Sequence, residues 1–339
     1  MVKLKDLAAK TGYSVTTISR ALGGFSDVNE QTRQHIIETA RQLGYQPHEP
    51  ARQLRNQRTQ TIGLIIPAND QSFSNDFFNL LLRGIGDAAA SAGYDLLISA
   101  QTPGDHEMEA YRRFVGGGRV DGMVVARTRQ ADERIEYLKH MQHPFAVSGR
   151  SAPTEESHFP YIDADSQAGI REATAHLIAL GHREIALLLP PPELAYTEYR
   201  RRGYAEALVN AGLSYRTDYV LHGDLLRSGG YALTDDLLNR FPEITGIVCA
   251  NDLMALGAMN AAQKRGLVVG HDLSITGFDD IPPAEFAHPA LTTVHQPVYE
   301  IGQRLLHMLV QLITRQTQPE TQILLPARLV VRESTGLRR

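Results

Sequence analysis

Strand and helix patterns alternate along most of the chain. Ile62-Gly63-Leu64-Ile65-Ile66 is a continuous apolar run, as expected of a strand covered on both faces of a parallel sheet. The helical patterns that follow lie at 76–92, 105–115, 132–141, 166–180, 197–211, 229–239, 253–265 and 298–314. The strand patterns between them lie at 94–99, 122–126, 145–147, 185–189, 246–250, 273–278, 292–295 and 322–325. Repeated βα units predict an α/β fold with two doubly wound parallel sheets, the second beginning after Pro160.

The first 44 residues have an all-helical pattern instead. One short helix has an apolar stripe at Leu4, Leu7 and Ala8, and a second has one at Val15, Ile18 and Leu22. Gly12 lies where a sharp turn needs a residue without Cβ, and Ser14 is a good N-cap for the second helix. A third helix is expected to begin after Asn29 and to end at Gly44. This small–glycine–apolar spacing is typical of a helix-turn-helix that binds DNA, although an ordinary antiparallel helix pair has the same pattern.

Charge is distributed unevenly along the 339 residues. Residues 1–60 contain nine Lys and Arg against five Asp and Glu, a balance of +4, whereas the remainder has a balance of −8. A basic segment ahead of an acidic body fits a protein that binds a polyanion at one end.

Other features exclude several classes of protein. The single cysteine, Cys249, rules out an intramolecular disulfide framework and suits a reducing cytoplasm. The chain shows no signal-peptide pattern and no apolar run long enough to cross a membrane. It also lacks dinucleotide-binding, P-loop, zinc-protease and nucleophile-elbow motifs. We therefore expect a cytoplasmic protein that is not an enzyme and needs no cofactor or metal.

Short motifs run along the whole chain. The first are KLKDLAAKTGYSVTTISRALGG, ARQLR and TIGLIIP. They continue with GY at 93, VDG at 120, GHR at 181, AND at 250, TGFDD at 276, LTTVHQP at 291 and REST at 332. Together these motifs resemble those of the lactose-repressor/galactose-repressor family of bacterial transcription regulators. The body also resembles periplasmic sugar-binding proteins, but those carry a signal peptide and no helix-turn-helix.

The resemblance implies a division of the chain into four parts. Residues 1–46 would form a helix-turn-helix domain, and residues 47–60 a hinge helix and linker. Residues 61–160 with 292–320 would form the N-terminal lobe of an effector-binding body like the periplasmic binding proteins. Residues 161–291 with 321–339 would form its C-terminal lobe. Two such lobes place a ligand cleft beyond the carboxyl ends of their strands.

The resemblance also implies which residues contact DNA. The match to SVTTISR assigns base contacts to Val15, Thr16 and Arg20, and guanine O6 and N7 suit the arginine. Phosphate contacts are expected from Ser14, Thr17, Ser19 and Asn29. A solvated or phosphate-paired Arg20 is the alternative.

The family's hinge helix matches residues 51–54 of this sequence. Ala51 is then expected at the DNA, Leu54 as a wedge in the minor groove and Arg55 as a phosphate or groove contact. An ordinary core position is the alternative for Leu54.

Effector-binding residues follow from the same comparison. Phe77 and Phe78 match the position at which family members stack an aromatic ring on the effector. Arg200 matches the arginine that reaches the effector from the C-terminal lobe, and Asn251 and Asp279 match polar residues that follow two strands of that lobe. Asp165 is a lesser candidate, with helix capping as the alternative. An arginine, a carboxylate and an amide that face aromatic rings suit a sugar.

Three positions depart from other members of the family. Arg150 stands where others often have an acid, Arg127 adds a second donor nearby, and Leu225 replaces an aromatic ring of several relatives. These donors favour a hydroxyl-rich ligand, a mono- or disaccharide, over a purine.

The function implied by the resemblance is a repressor controlled by a small molecule. It would bind a pseudo-palindromic operator in double-stranded DNA as a homodimer, with a carbohydrate between its lobes changing its affinity. The end of the chain has no leucine heptad, which favours a dimer over a tetramer. A purine effector, or a cytoplasmic solute-binding protein, remains the alternative.

Overall fold

In a computed structural model the chain forms two compact units, residues 1–58 and residues 59–339. The structure describes residues 2–23, 25–45, 58–68, 76–153, 156–316 and 320–338. No helix within these ranges is long and apolar enough to cross a membrane.

The first unit contains three helices, α1 (Leu4–Thr11), α2 (Val15–Leu22) and α3 (Glu30–Gln42). Gly12 ends α1 with a φ of 75°, a left-handed conformation that favours glycine. Ser14 caps α2 by accepting the Thr17 N–H at 3.1 Å, and Asn29 caps α3 in the same way. Leu7, Ile18 and Ile36 are fully buried together and hold the three helices against one another. The predicted helices and both caps are confirmed.

The N-terminal lobe of the second unit is built on a six-stranded parallel sheet. Its strands are β1 (Thr61–Pro67), β2 (Asp95–Gln101), β3 (Gly122–Ala126), β4 (Phe145–Ser148), β5 (Tyr161–Ala164) and β11 (Gln322–Leu325), in the order β11-β5-β4-β3-β1-β2. Helices α4 (Asp76–Ala92) and α12 (Val298–Thr314) cover one face, and α5 (Asp105–Val115) and α6 (Glu133–His140) cover the other. A Cβ on Gly84 would lie 2.2 Å from the Tyr299 carbonyl oxygen, so glycine lets α4 and α12 cross closely.

The C-terminal lobe has a four-stranded parallel sheet in the order β7-β6-β8-β9. Its strands are β6 (Ile185–Leu189), β7 (Val220–His222), β8 (Gly246–Cys249) and β9 (Ser274–Thr276). Helices α7 (Ser166–Ala179) and α8 (Tyr196–Asn210) pack on one face, and α9 (Arg227–Arg240) and α10 (Asp252–Lys264) pack on the other. A short helix, α11 (Pro282–Glu285), follows β9. The antiparallel ribbon of β10 (Thr293–His295) and β12 (Arg328–Val330) packs on this lobe through Val294 and Leu329.

The structure corrects the predicted lobe boundaries at three strands. β5 and β11, predicted in the C-terminal lobe, extend the sheet of the N-terminal lobe, and β10, predicted in the N-terminal lobe, lies on the C-terminal one. Each of these strands has only three or four residues, so its pattern of apolar and polar side chains does not indicate which sheet it joins. The chain therefore crosses between the lobes three times, after β5, between β10 and α12, and between β11 and β12.

Candidate functional site

One face of α2 is turned away from the core of the first unit. Ile18 and Ala21 are buried, whereas Val15, Thr16 and Arg20 are exposed on the opposite side of the helix. A helix that buries one stripe and presents small and basic side chains on the other can enter a major groove. The structure thus brings together the three residues predicted to read bases.

Arg20 is held by two neighbours from the loop after α2. Its guanidinium lies 2.5 Å from the Asp27 carboxylate and 4.9 Å from the centre of the Phe25 ring. Both members of the ion pair are about half exposed, so the pair contributes little and a guanine edge can compete for the arginine.

The predicted phosphate contacts have local bonds of their own. Ser14 and Thr17 share a hydroxyl hydrogen bond at 2.9 Å, and Asn29 is engaged in its helix cap. Ser19 lies partly buried on α2. The hinge residues Ala51, Leu54 and Arg55 lie outside the described residues.

A cavity that is partly open to solvent lies between the two lobes, and both polar and apolar side chains line it. Its lining includes six of the residues predicted to bind an effector: Phe77, Arg127, Arg200, Leu225, Asn251 and Asp279. The remaining lining residues are Ser148, Gly149, Asp163, Ser166, Tyr196, Gln296 and Ile301.

Strand ends build this cavity. Arg127 follows β3, Gly149 follows β4 and Asp279 lies three residues beyond β9, at the carboxyl edges of the two sheets. Three non-glycine lining residues have positive φ: 54° at Arg127, 68° at Leu225 and 116° at Asp279. Such conformations cost energy and are concentrated at functional sites, where packing holds them in place.

Arg200 supplies the central positive charge. It is 6% exposed, donates to the Ala250 carbonyl, and its guanidinium lies 4.2 Å and 4.6 Å from the ring centres of Phe278 and Tyr196. Its Nε has no hydrogen-bond partner among the described residues, and the same holds for the Ser166 hydroxyl oxygen. Buried polar atoms that the protein leaves unpaired are suited to hydrogen-bond a ligand.

Asp279 supplies an acceptor. The Gln296 side-chain amide donates to it at 2.5 Å, and Arg200 and Arg127 lie near enough to favour its charged form. Burial outweighs them and raises the pKa of the carboxyl to about 6. At neutral pH Asp279 is therefore a carboxylate able to accept hydrogen bonds from hydroxyl groups.

The placement of Arg150 differs from the prediction. Arg150 does not line the cavity, and its guanidinium lies 2.9 Å from the Asp163 carboxylate and 3.9 Å from the centre of the Tyr199 ring. The cavity therefore presents the acceptor Asp163 and not the donor. Burial raises the pKa of Asp163, against the opposing effect of Arg150.

Three other predicted residues have structural roles. Phe78 is 2% exposed in the core of the N-terminal lobe, with the Arg127 guanidinium 4.6 Å from its ring centre. Asp165 lies outside the lining and caps α7 by accepting the Ala168 N–H. Asn251 does line the cavity, but its amide caps α10 and donates to the Leu225 carbonyl. Asn251 thus shapes the wall with both ends of its side chain already bonded.

Seven residues that line the cavity were not predicted from the sequence, although sequence features point to two of them. Tyr196 lies one helical turn before Arg200, and Gln296 lies within the quoted motif LTTVHQP. Asp163 has no such signal, because its position depends on β5 joining the sheet of the N-terminal lobe.

Two doubly wound lobes with a cavity between them define a two-lobed binding protein, here preceded by a helix-turn-helix unit. Residues 174–335 match the periplasmic binding protein-like domain, and residues 3–48 match the bacterial regulatory proteins of the lacI family. The chain belongs to the LacI family of transcription regulators, and it is not an enzyme.

Similar proteins span almost the full chain. The HTH-type transcriptional regulator AglR of Rhizobium meliloti is 34% identical, over 99% of this chain and 94% of its own. The structure of a CelR–cellobiose complex is 31% identical and covers 98% of this chain and 100% of its own, with a TM-score of 0.77. The lac repressor dimer bound to operator and the anti-inducer ONPF is 27% identical, covers 99% of each chain, and has a TM-score of 0.87.

Proposed function

We propose that this protein is a repressor that binds a pseudo-palindromic operator as a homodimer, and that a small carbohydrate in the cavity controls its affinity for DNA. The observation that carries the effector site is a pair of buried atoms, Arg200 Nε and Ser166 Oγ, that have no hydrogen-bond partner in the described part of the chain. They line the same cavity as the carboxylates of Asp163 and Asp279. Donors and acceptors arranged in this way suit vicinal hydroxyl groups, and the Phe77 ring offers an apolar face.

The relatives support both halves of the proposal. One solved relative binds cellobiose, and another is a dimer on its operator. Linkage then requires reciprocity, so a sugar that weakens DNA binding must itself be bound less tightly by the DNA complex.

A thermal-shift screen of the full chain tests the effector. Cellobiose, glucose, other mono- and disaccharides and purines are each added in large excess. A ligand at ~100 times its Kd stabilises by ~2.7 kcal/mol, which corresponds to about 5 °C here. We expect sugars to shift the unfolding temperature and purines to leave it unchanged. A purine hit without any sugar hit would contradict the carbohydrate assignment.

The sugar hit then permits a matched test of the cavity. Arg200→Lys keeps the charge but loses the planar fork, so we expect sugar affinity to fall about 10- to 100-fold. Arg202→Lys is the control, because Arg202 lies on the same helix and pairs with Glu198 outside the cavity. Equal affinities for both variants would count against a role for Arg200 in binding.

Selection from a randomised DNA duplex library tests base reading by Arg20. Arg20→Lys should reduce the preference for the recognised base over other bases about 5- to 150-fold at one base pair in each half-site. The reason is that a bidentate contact is worth ~1–3 kcal/mol. Non-specific affinity should persist, since the charge is kept. Arg41→Lys, exposed on α3, is the control. An unchanged selected sequence with Arg20→Lys would rule out base contact by this arginine.

A further inference from the structure

Beside the cavity, two loops from different lobes pair through their backbones. Residues 128–130, which follow β3, lie antiparallel to residues 192–195, which precede α8. The Ala195 N–H donates to the Thr128 carbonyl at 2.9 Å, and the Gln130 N–H donates to the Glu193 carbonyl at 2.9 Å. The Gln130 side chain adds a third bond, to the Pro192 carbonyl at 2.9 Å. We call these two segments the clasp.

The clasp is continuous with the cavity wall on both sides. Arg127 directly precedes its first segment and Tyr196 directly follows its second, and both side chains line the cavity. A nearby bond joins the same two lobes, from the Tyr199 hydroxyl to the Ser151 carbonyl at 3.0 Å. Separation of the lobes at this edge must break the clasp.

The first segment of the clasp is held in an unfavourable backbone shape. Arg127 before it and Ala131 after it both have left-handed φ values, 54° and 48°. Neither residue is glycine, so neighbouring contacts must hold this loop.

A buried charge cluster supplies those contacts. It consists of Glu107, Arg129, Asp132 and Arg134, two acids and two bases. Arg134 is 1% exposed, and all five of its guanidinium N–H groups donate hydrogen bonds. The acceptors are the carboxylates of Asp132 and Glu107 and the backbone carbonyls of Ala126 and Arg127. Asp132 in turn accepts the Arg129 N–H at 3.0 Å, inside the clasp.

We propose that the clasp holds the two lobes closed over the cavity, and that Arg134 is a positioning residue that fixes both the clasp and Arg127. The guanidinium bonds the carbonyl of Arg127 at 2.8 Å, so it sets where the Arg127 side chain leaves the backbone. The functional meaning of closure rests on the proposed effector site, whereas the clasp itself is testable without any effector.

Amide hydrogen exchange of the full-length protein, without sugar or DNA, tests the clasp. We expect the amides of Gln130 and Ala195 to be protected in the wild type. Gln130→Ala removes one bond between the lobes and should speed exchange at Ala195, in the opposite lobe, about fivefold. Gln142→Ala, at another exposed glutamine of the N-terminal lobe, should leave it unchanged. If both amides exchange in the wild type as fast as amides without hydrogen bonds, the proposal is overturned.

Arg134→Lys tests the positioning role. Lysine cannot supply five fixed donors, so exchange should rise together at residues 128–130 and at residues 193–195, relative to the amides of β1. A merely structural role in the N-terminal lobe would leave Ala195 protected, and that result would overturn the role of Arg134. If this variant does not fold, Gln130→Ala still decides whether the clasp exists. Because no effector is present, failure of the sugar assignment would not alter either result.

Discussion

Asp279→Asn is expected to be more stable than the wild-type protein above about pH 6 and to lose part of its pH dependence. The folded-state pKa of Asp279 is raised from 3.8 to about 6, so the folded protein holds this proton more tightly than the unfolded chain does. Its contribution to stability is therefore fully present below pH 3.8 and is lost as the pH rises through about 6. The corresponding free energy is roughly 2–3 kcal/mol, reduced by solvent because the carboxyl is only partly buried.

Urea unfolding followed by far-ultraviolet circular dichroism between pH 4 and pH 8 measures this difference. Asparagine is neutral throughout and keeps an oxygen for the Gln296 amide. Asp163 also has a raised pKa, but it is present in both proteins and cancels in the comparison. Asp252 does not cancel, because the charge of Asp279 adds to burial in raising the pKa of Asp252. Removal of that charge lowers the pKa of Asp252 and so adds to the stability of the variant at high pH. Asp165→Asn is the control, since asparagine caps a helix as well as aspartate does. Parallel stability curves for wild type and Asp279→Asn would contradict the prediction.

Arg134→Met is expected to destabilise the second unit by ~3–5 kcal/mol. Methionine fills most of the space but leaves Glu107 and Asp132 facing the single charge of Arg129 in a buried site. The tyrosine at position 111 adds no compensation, because burial raises the pKa of its hydroxyl and keeps it neutral. The same urea titration at pH 7 measures the loss.

A second substitution separates charge from packing. The double variant Glu107→Gln with Arg134→Met leaves one base, Arg129, and one acid, Asp132, so the charges of the cluster balance. The Arg129 backbone N–H still donates to the Asp132 carboxylate. We expect this double variant to recover part of the lost stability. If it is less stable than Arg134→Met alone, unpaired charge is not the cause of the destabilisation.

The effector site shows the limits of sequence reasoning most clearly. Arg200, Asp279 and Phe77 were predicted and do line the cavity, because each lies at a fixed place relative to a strand or helix that the sequence indicates. Arg150 and Phe78, also predicted to contact the effector, do not line the cavity. Each is adjacent to a lining residue. Phe78 lies on the face of α4 that packs into the core, whereas the direction of the Arg150 side chain, beyond the end of β4, depends on backbone angles that residue patterns do not contain.

Residue patterns alone are enough to predict the local structure and the class of this protein. Helix caps, apolar periodicity and the glycine turn predicted the three N-terminal helices and the alternation of strands and helices, because these features depend on neighbours in the chain. Three features become visible only in the folded chain: the lobe on which each of β5, β10 and β11 lies, the presence of Asp163 and not Arg150 in the cavity lining, and the pairing of residues 128–130 with 192–195 between the lobes. These outcomes depend on contacts between residues far apart in sequence, where short strands and single polar side chains have several partners of similar energy.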